Sequence, residues 1–222
     1  MNTEDSNSAI NGVAHAARLT GDANTRRTDL SLTEANHRIS NGLQLAAAFL
    51  RLQELRIQDG EARAALGTAA SRIDAVARLH RRIGRTNADG MIDLAAYLDE
   101  IVPEIGAATG IHCLLDRDAI RVPPKLANDI GVLVNELVTN AAKHAYGGKH
   151  GIAEITCVKD GADGLMVSAR DRGPGMATDN IETMQSLGMT IVRTLVKQNG
   201  GRFEIVTNGG TEFRIYLPAR SL

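Results

Sequence analysis

The sequence predicts an α+β protein, an N-terminal helical hairpin followed by an α/β sandwich. Residues 29–86 carry two apolar stripes at helical spacing, separated by an Asp59-Gly60 break. Residues 91–219 alternate helix-like and strand-like stretches. Hairpin signals punctuate them at Asp160-Gly161-Ala162-Asp163-Gly164 and Asn208-Gly209-Gly210. The chain is 43% hydrophobic but only 3% aromatic and has no Trp, so its cores must be built from Leu, Ile, Val and Ala.

The elements follow in order. Residues 1–28 are rich in Asn, Thr, Asp, Ser and Arg with weak periodicity, and are expected to be disordered apart from a short helix around Val13 to Leu19. Ser31-Leu32-Thr33-Glu34 fits a capping box, with Ser31 as N-cap and Glu34 at N3. The first helix then buries Ile39, Leu43, Ala46, Leu50 and Ile57. The second buries Ala62, Leu66, Ala69, Ile73, Val76, His80 and Ile83. Such a hairpin has one apolar seam and must bury it against a second copy, as a four-helix bundle, or against the following domain.

Asn87-Ala88-Asp89-Gly90 reads as a turn and a domain boundary. Asp93 can cap a helix from Leu94 to about Ala108, and Ile111–Leu115 reads as a strand. Pro123-Pro124 opens a long helix from Lys125 to Tyr146 with Leu126, Ile130, Leu133, Leu137 and Ala141 inward. Strands are expected at Ala153–Lys159, Leu165–Arg170, Phe203–Thr207 and Glu212–Leu217. A helix over Leu187–Gln198 ends at Gly200-Gly201.

Composition excludes several classes of function. A net charge of −1 offers no surface for nucleic acid or lipid headgroups. No apolar run reaches the roughly 18 residues that span a bilayer, and no signal-peptide order opens the chain. Cys113 and Cys157 form no CxxC and read as the reduced thiols of a cytoplasmic protein.

Chemistry concentrates in two segments. Glu136, Asn140 and Lys143 stand at i, i+4 and i+7, on one helical face beside the apolar stripe. An Asn amide oxygen can ligate Mg²⁺ without adding charge, in the manner of an ion shared with phosphates. Lys143 and His144 can meet phosphate charge. A solvated helix face would look the same. The second segment is Asp171-Arg172-Gly173-Pro174-Gly175, where a carboxylate at a strand end precedes a turn of two glycines. That carboxylate can accept from an exocyclic amine such as adenine's. Two further elements are Ser186-Leu187-Gly188-Met189, a helix start able to hold phosphate, and Gly209-Gly210-Thr211-Glu212-Phe213 in the last hairpin.

Taken in this order, the four elements resemble the ATP-binding domain of the gyrase/Hsp90/histidine-kinase superfamily, over roughly residues 92 to 218. The resemblance implies ATP and Mg²⁺ as cofactors. It implies Asn140 on Mg²⁺, Asp171 on the adenine amine, and Gly173, Gly175 and Gly188 shaping the pocket and lid. Lys143, His144 and Thr211 complete the nucleotide-binding set. The short stretch between Gly175 and Ser186 implies a small lid, and no separate Phe-containing box is present.

Glu34-Ala35-Asn36-His37-Arg38-Ile39-Ser40-Asn41-Gly42-Leu43-Gln44 resembles the phosphoacceptor box of the HWE/HisKA_2-like two-component sensor histidine kinases. There the box reads His-Arg-x-x-Asn, then Leu-Gln. His37, on a polar ridge with Asn41 and Gln44, is thereby implied as phosphoacceptor. Gly42 replaces the family's usual Asn, at a cost of about 1 kcal/mol in mid-helix. Arg38 stands where the commonest kinases have an acid, which leaves Glu34 and Glu136 both open as general base. His80 reads as a stripe residue, and His15, His112 and His150 carry no motif.

The implied function is ATP-dependent autophosphorylation of His37 and transfer to an Asp of a response-regulator receiver. Either input would come from a sensor protein in trans or the chain is a truncated or stand-alone kinase, and the apolar seam of the hairpin favours a homodimer. A phosphorelay module without ATP binding is disfavoured by the glycine boxes. An anti-sigma-type regulatory kinase is disfavoured by the hairpin.

Overall fold

The computed structural model describes residues 38–82, 90–161, 164–175 and 186–218. The capping box at Ser31, Glu34 and His37 and the stretch between Gly175 and Ser186 lie outside the described residues, as does the side chain of His80.

Helix α1 covers residues 38–54 and α2 covers Gly60–Arg82. Asp59 caps α2, its Oδ1 accepting from Ala62 N at 2.7 Å, so Gly60 begins the second helix. The residues most buried along the two helices are Ser40 and Ala47 on α1 and Ala70 and Ala77 on α2. Ser40 Oγ donates to Ala77 O at 2.9 Å across the seam. Of the expected α1 stripe, Leu43, Leu50 and Ile57 are half-buried, whereas Ala46 and Ile39, at 46%, are exposed. Small side chains let the two backbones approach closely, and the buried hydroxyl finds a carbonyl. Leu45, Phe49 and Leu52 consequently face outward.

The sandwich opens with β1 (Ile92–Asp93), which pairs antiparallel with β3 (Arg121–Val122). Between them run α3 (Leu94–Thr109) and β2 (Ile111–Arg117). Asp93 caps α3 by accepting from Ala96 N at 3.2 Å, and α3 ends on Gly110 at φ 73°. Then come α4 (Pro124–Asn140), β4 (Gly151–Asp160), β5 (Gly164–Asp171), α5 (Leu187–Gln198), β6 (Arg202–Thr207) and β7 (Thr211–Leu217). The main sheet has the order β2-β4-β5-β7-β6, antiparallel except for the parallel β2–β4 pair. Alternating burial along β4 and β7 gives the sheet one face toward the helices. Helix α4 supplies Leu126, Ile130, Leu133 and Leu137 to the core between them.

The α4 helix does not continue to Tyr146 as one α-helix. Ala141–Ala145 form a π-helical turn, and Tyr146 N–H reaches back five residues to Ala141 O at 3.2 Å. No helix among the described residues is long and apolar enough to cross a membrane.

Candidate functional site

Glu136 and Asn140 lie on a covered face of α4, only 2% and 5% exposed. Two other helices close this face, which rules out the alternative of a merely solvated helix surface at Glu136 and Asn140. From α2, Arg72 Nη2 approaches Glu136 Oε2 to 3.2 Å. From α5, Met189 Sδ accepts from Asn140 Nδ2 at 3.3 Å. Gly188, just inside α5, sits against the ion pair. A Cβ there would stand 2.5 Å from Glu136 Oε2 and 2.8 Å from Arg72 Nη2, so only glycine lets α5 start this close. Burial raises the Glu136 pKa, while Arg72, Lys143 and a hydrogen bond from Asn135 pull it back down.

Asp171 ends β5 and organises a second cluster. Its Oδ1 accepts from Gly173 N at 2.9 Å and from Thr211 N at 3.1 Å, which ties the glycine turn to β7. Thr211 and Asp171 are both buried. Gly210 adopts φ 135°, and a Cβ on it would fall 2.0 Å from Asp171 O. Gly175 at φ 80° closes the turn against Gly210.

The tail of the α4 segment joins the two clusters. Gly173 packs so closely on Ala145 that a Cβ would come within 2.5 Å of the Ala145 Cβ. Tyr146 Oη donates to Ile152 O at 2.6 Å and accepts from Arg172 N at 2.9 Å. The π turn therefore carries Tyr146 to the glycine turn, while Lys143 and His144 remain exposed on it. Ser186 Oγ caps α5 by accepting from Met189 N at 3.3 Å, and the first N–H groups of this helix point out of its N-terminal end.

Among the described residues no group of three or more His, Cys, Asp or Glu is placed to hold a metal. The donor set is instead one amide, Asn140, whose nitrogen is committed to Met189. That suits a hard ion taking most of its ligands from phosphate and water, and Mg²⁺ fits it. Arg72 and Tyr146 are the site residues that sequence reasoning missed. Arg72 is on another domain with no motif around it, and the Tyr146 hydroxyl takes part through the π turn alone.

Residues 34–109 match a family described as histidine kinase (HisKA_2). Residues 126–221 match the histidine kinase-, DNA gyrase B- and HSP90-like ATPase family (HATPase_c). Blue-light-activated histidine kinase 2 of Erythrobacter litoralis is 31% identical over 192 residues, covering 82% of this chain and 55% of that protein. Sensor histidine kinase PdtaS of Mycobacterium tuberculosis is 32% identical over 181 residues, covering 76% of this chain and 34% of that protein. The chain thus spans about half of one relative and a third of the other. In fold it is similar to the histidine kinase domain of an Erythrobacter litoralis blue-light-activated kinase. That match has a TM-score of 0.61 at 24% identity, over 81% of this chain and 96% of the other.

Proposed function

The chain belongs to the histidine kinase family, and from that premise we propose that it phosphorylates its own His37 with ATP and passes the phosphoryl group to an Asp of a response-regulator receiver. The observation that carries this reading is the convergence of Glu136 and Asn140, the Asp171 glycine turn and the capped start of α5. In it a buried carboxylate, an amide, a polar turn and a helix N-terminus are locked together by close glycine contacts.

The nucleotide's adenine amine donates to Asp171 Oδ2, the oxygen that takes part in neither backbone bond. The N-terminal end of α5, kept open by Gly188, would hold the phosphates, and Lys143 and His144, exposed on the π turn, would meet their charge. Gly173, Gly175 and Thr211 shape the adenine end. Mg²⁺ held by Asn140 would offset charge on the phosphates. The His37 imidazole attacks phosphorus in line as the bond to the ADP oxygen breaks. Its proton passes to a carboxylate, with Glu136 and Glu34 the two available. Most of the rate comes from positioning and electrostatics.

The same proposal places the phosphoacceptor domain at 29–86 and the ATP-binding domain at 91–219. It also makes the protein cytoplasmic and dimeric through the hairpin, where Leu45, Phe49, Leu52 and Leu55 are between 58% and 74% exposed. The test is incubation with γ-labelled ATP. Wild type should take up acid-labile, base-stable label, and His37→Ala none. Equal label on both refutes the assignment.

A further inference from the structure

The helical hairpin, the end of α3 and α4 with its π turn line a cleft of about 440 Å³. Its walls carry Arg72, Arg78, Thr68 and Ser71 from the hairpin, Lys143 from the π turn and one acid, Glu54. With Arg72 facing Glu136, the cleft still holds Arg78 and Lys143 against Glu54, an excess of positive charge that suits an anion. One of its lining residues, Arg72, is paired with Glu136, and the bonding of that pair is incomplete. Arg72 Nε and Glu136 Oε2 are both buried without a hydrogen bond, although the two groups lie 3.2 Å apart. A buried pair of this kind contributes little as a staple, because desolvation offsets most of its attraction. Gly188 keeps the approach between this pair and the start of α5 clear of side chains.

We propose that Arg72 contacts the γ-phosphate of ATP, with the Glu136 carboxylate as its competitor for the guanidinium. The proposal rests on the ATP reading above. Three features set its direction. The guanidinium is supplied by the hairpin, the same domain that carries the acceptor histidine, so it meets the terminal phosphate and not the adenine end. A planar guanidinium fits phosphate oxygens in pairs, and Nε is the donor left over for that purpose. Glu136 repels the same phosphate that Arg72 attracts, so the two residues pull nucleotide preference in opposite directions. A triphosphate would therefore draw α2 toward the nucleotide, whereas a diphosphate would leave Arg72 on Glu136.

The test is calorimetric binding of ADP and of AMP-PNP, each with Mg²⁺, to the full chain. In wild type AMP-PNP should bind more tightly than ADP. Arg72→Gln should shrink that preference about tenfold, with the ADP affinity changed less than about threefold. Glu136→Gln should enlarge it several-fold. Arg72→Lys, which keeps a point charge but no fork, should fall between Arg72→Gln and wild type. It serves as the test should circular dichroism show Arg72→Gln unfolded. A purely structural ion pair would weaken both nucleotides alike in both variants, and that result overturns the proposal. So does a Glu136→Gln shift in the same direction as Arg72→Gln. Failure of wild type to bind either nucleotide overturns the ATP reading first, and this proposal with it.

Discussion

Removing the Asp171 carboxylate separates its structural role from the nucleotide contact proposed for it. Its Oδ1 accepts two backbone N–H groups, from Gly173 at 2.9 Å and Thr211 at 3.1 Å, at a position only 7% exposed. Asp171→Ala strands both donors. The buried Thr211 N–H without a partner costs about 1–3 kcal/mol and the half-buried Gly173 N–H less, so the variant should lose about 2–5 kcal/mol. Whole domains are stable by about 5–15 kcal/mol, so the loss should be plain in urea unfolding followed by circular dichroism. Asp171→Asn keeps an oxygen where Oδ1 stands and loses only the charge assistance, about 1 kcal/mol per bond or 2 kcal/mol in all. At Oδ2, however, it presents an N–H₂ to the adenine amine, donor against donor. Its affinity for ATP should fall about tenfold to a hundredfold while the fold persists. The reasoning is refuted if Asp171→Asn is as unstable as Asp171→Ala, or if it binds ATP as wild type does.

Tyr146→Phe removes the hydroxyl that bridges Ile152 O and Arg172 N. It should lower unfolding stability by about 1–2 kcal/mol and weaken ATP binding a few-fold. An unchanged unfolding midpoint would show that the hydroxyl ties nothing. Burial pushes the Cys157 thiol up from 9.0 to about 12, helped by Asp118, and the Cys113 thiol to about 11. A thiol that holds its proton longer when folded contributes stability in full below the unfolded value near 9.0, and that contribution drains away as pH rises through the folded values. Stability should therefore decline above about pH 9. At pH 8 neither native thiol should react quickly with iodoacetamide, and rapid alkylation of Cys157 seen by mass spectrometry would refute its burial.

Short-range chemistry was the most legible part of the chain. Asp93 and Ser186 cap the helices their positions announce, and α5 runs over the residues its pattern marks out. The seam of the hairpin was harder. Heptad-like spacing in α1 fits two neighbouring phases, and the choice is made by how closely Ser40 and Ala47 let α2 approach. The polar face of α4 shows a related limit. Spacing places Glu136 and Asn140 together but cannot tell water from a covering helix. Arg72 and Met189, each about fifty residues or more away along the chain, decide that. The glycine segments around Asp171 were legible because glycine there answers a local demand, a positive φ or a contact too close for a Cβ.

The π turn after Asn140 carries a consequence for how this sequence can vary. An α-helix turns by about 100° per residue, so one extra residue in a turn rotates everything beyond it by that angle. Here the rotation brings Ala145 and Tyr146 onto Gly173 and Gly151, each of which is bare at the point of contact. Losing one residue from 141–145 would restore the ordinary helix and swing the phenol away from Arg172. Exchanges of residue type at the exposed Lys143 and His144 should leave this geometry in place, whatever they cost at the phosphates. A change of length should not, because residue count here acts as an angle.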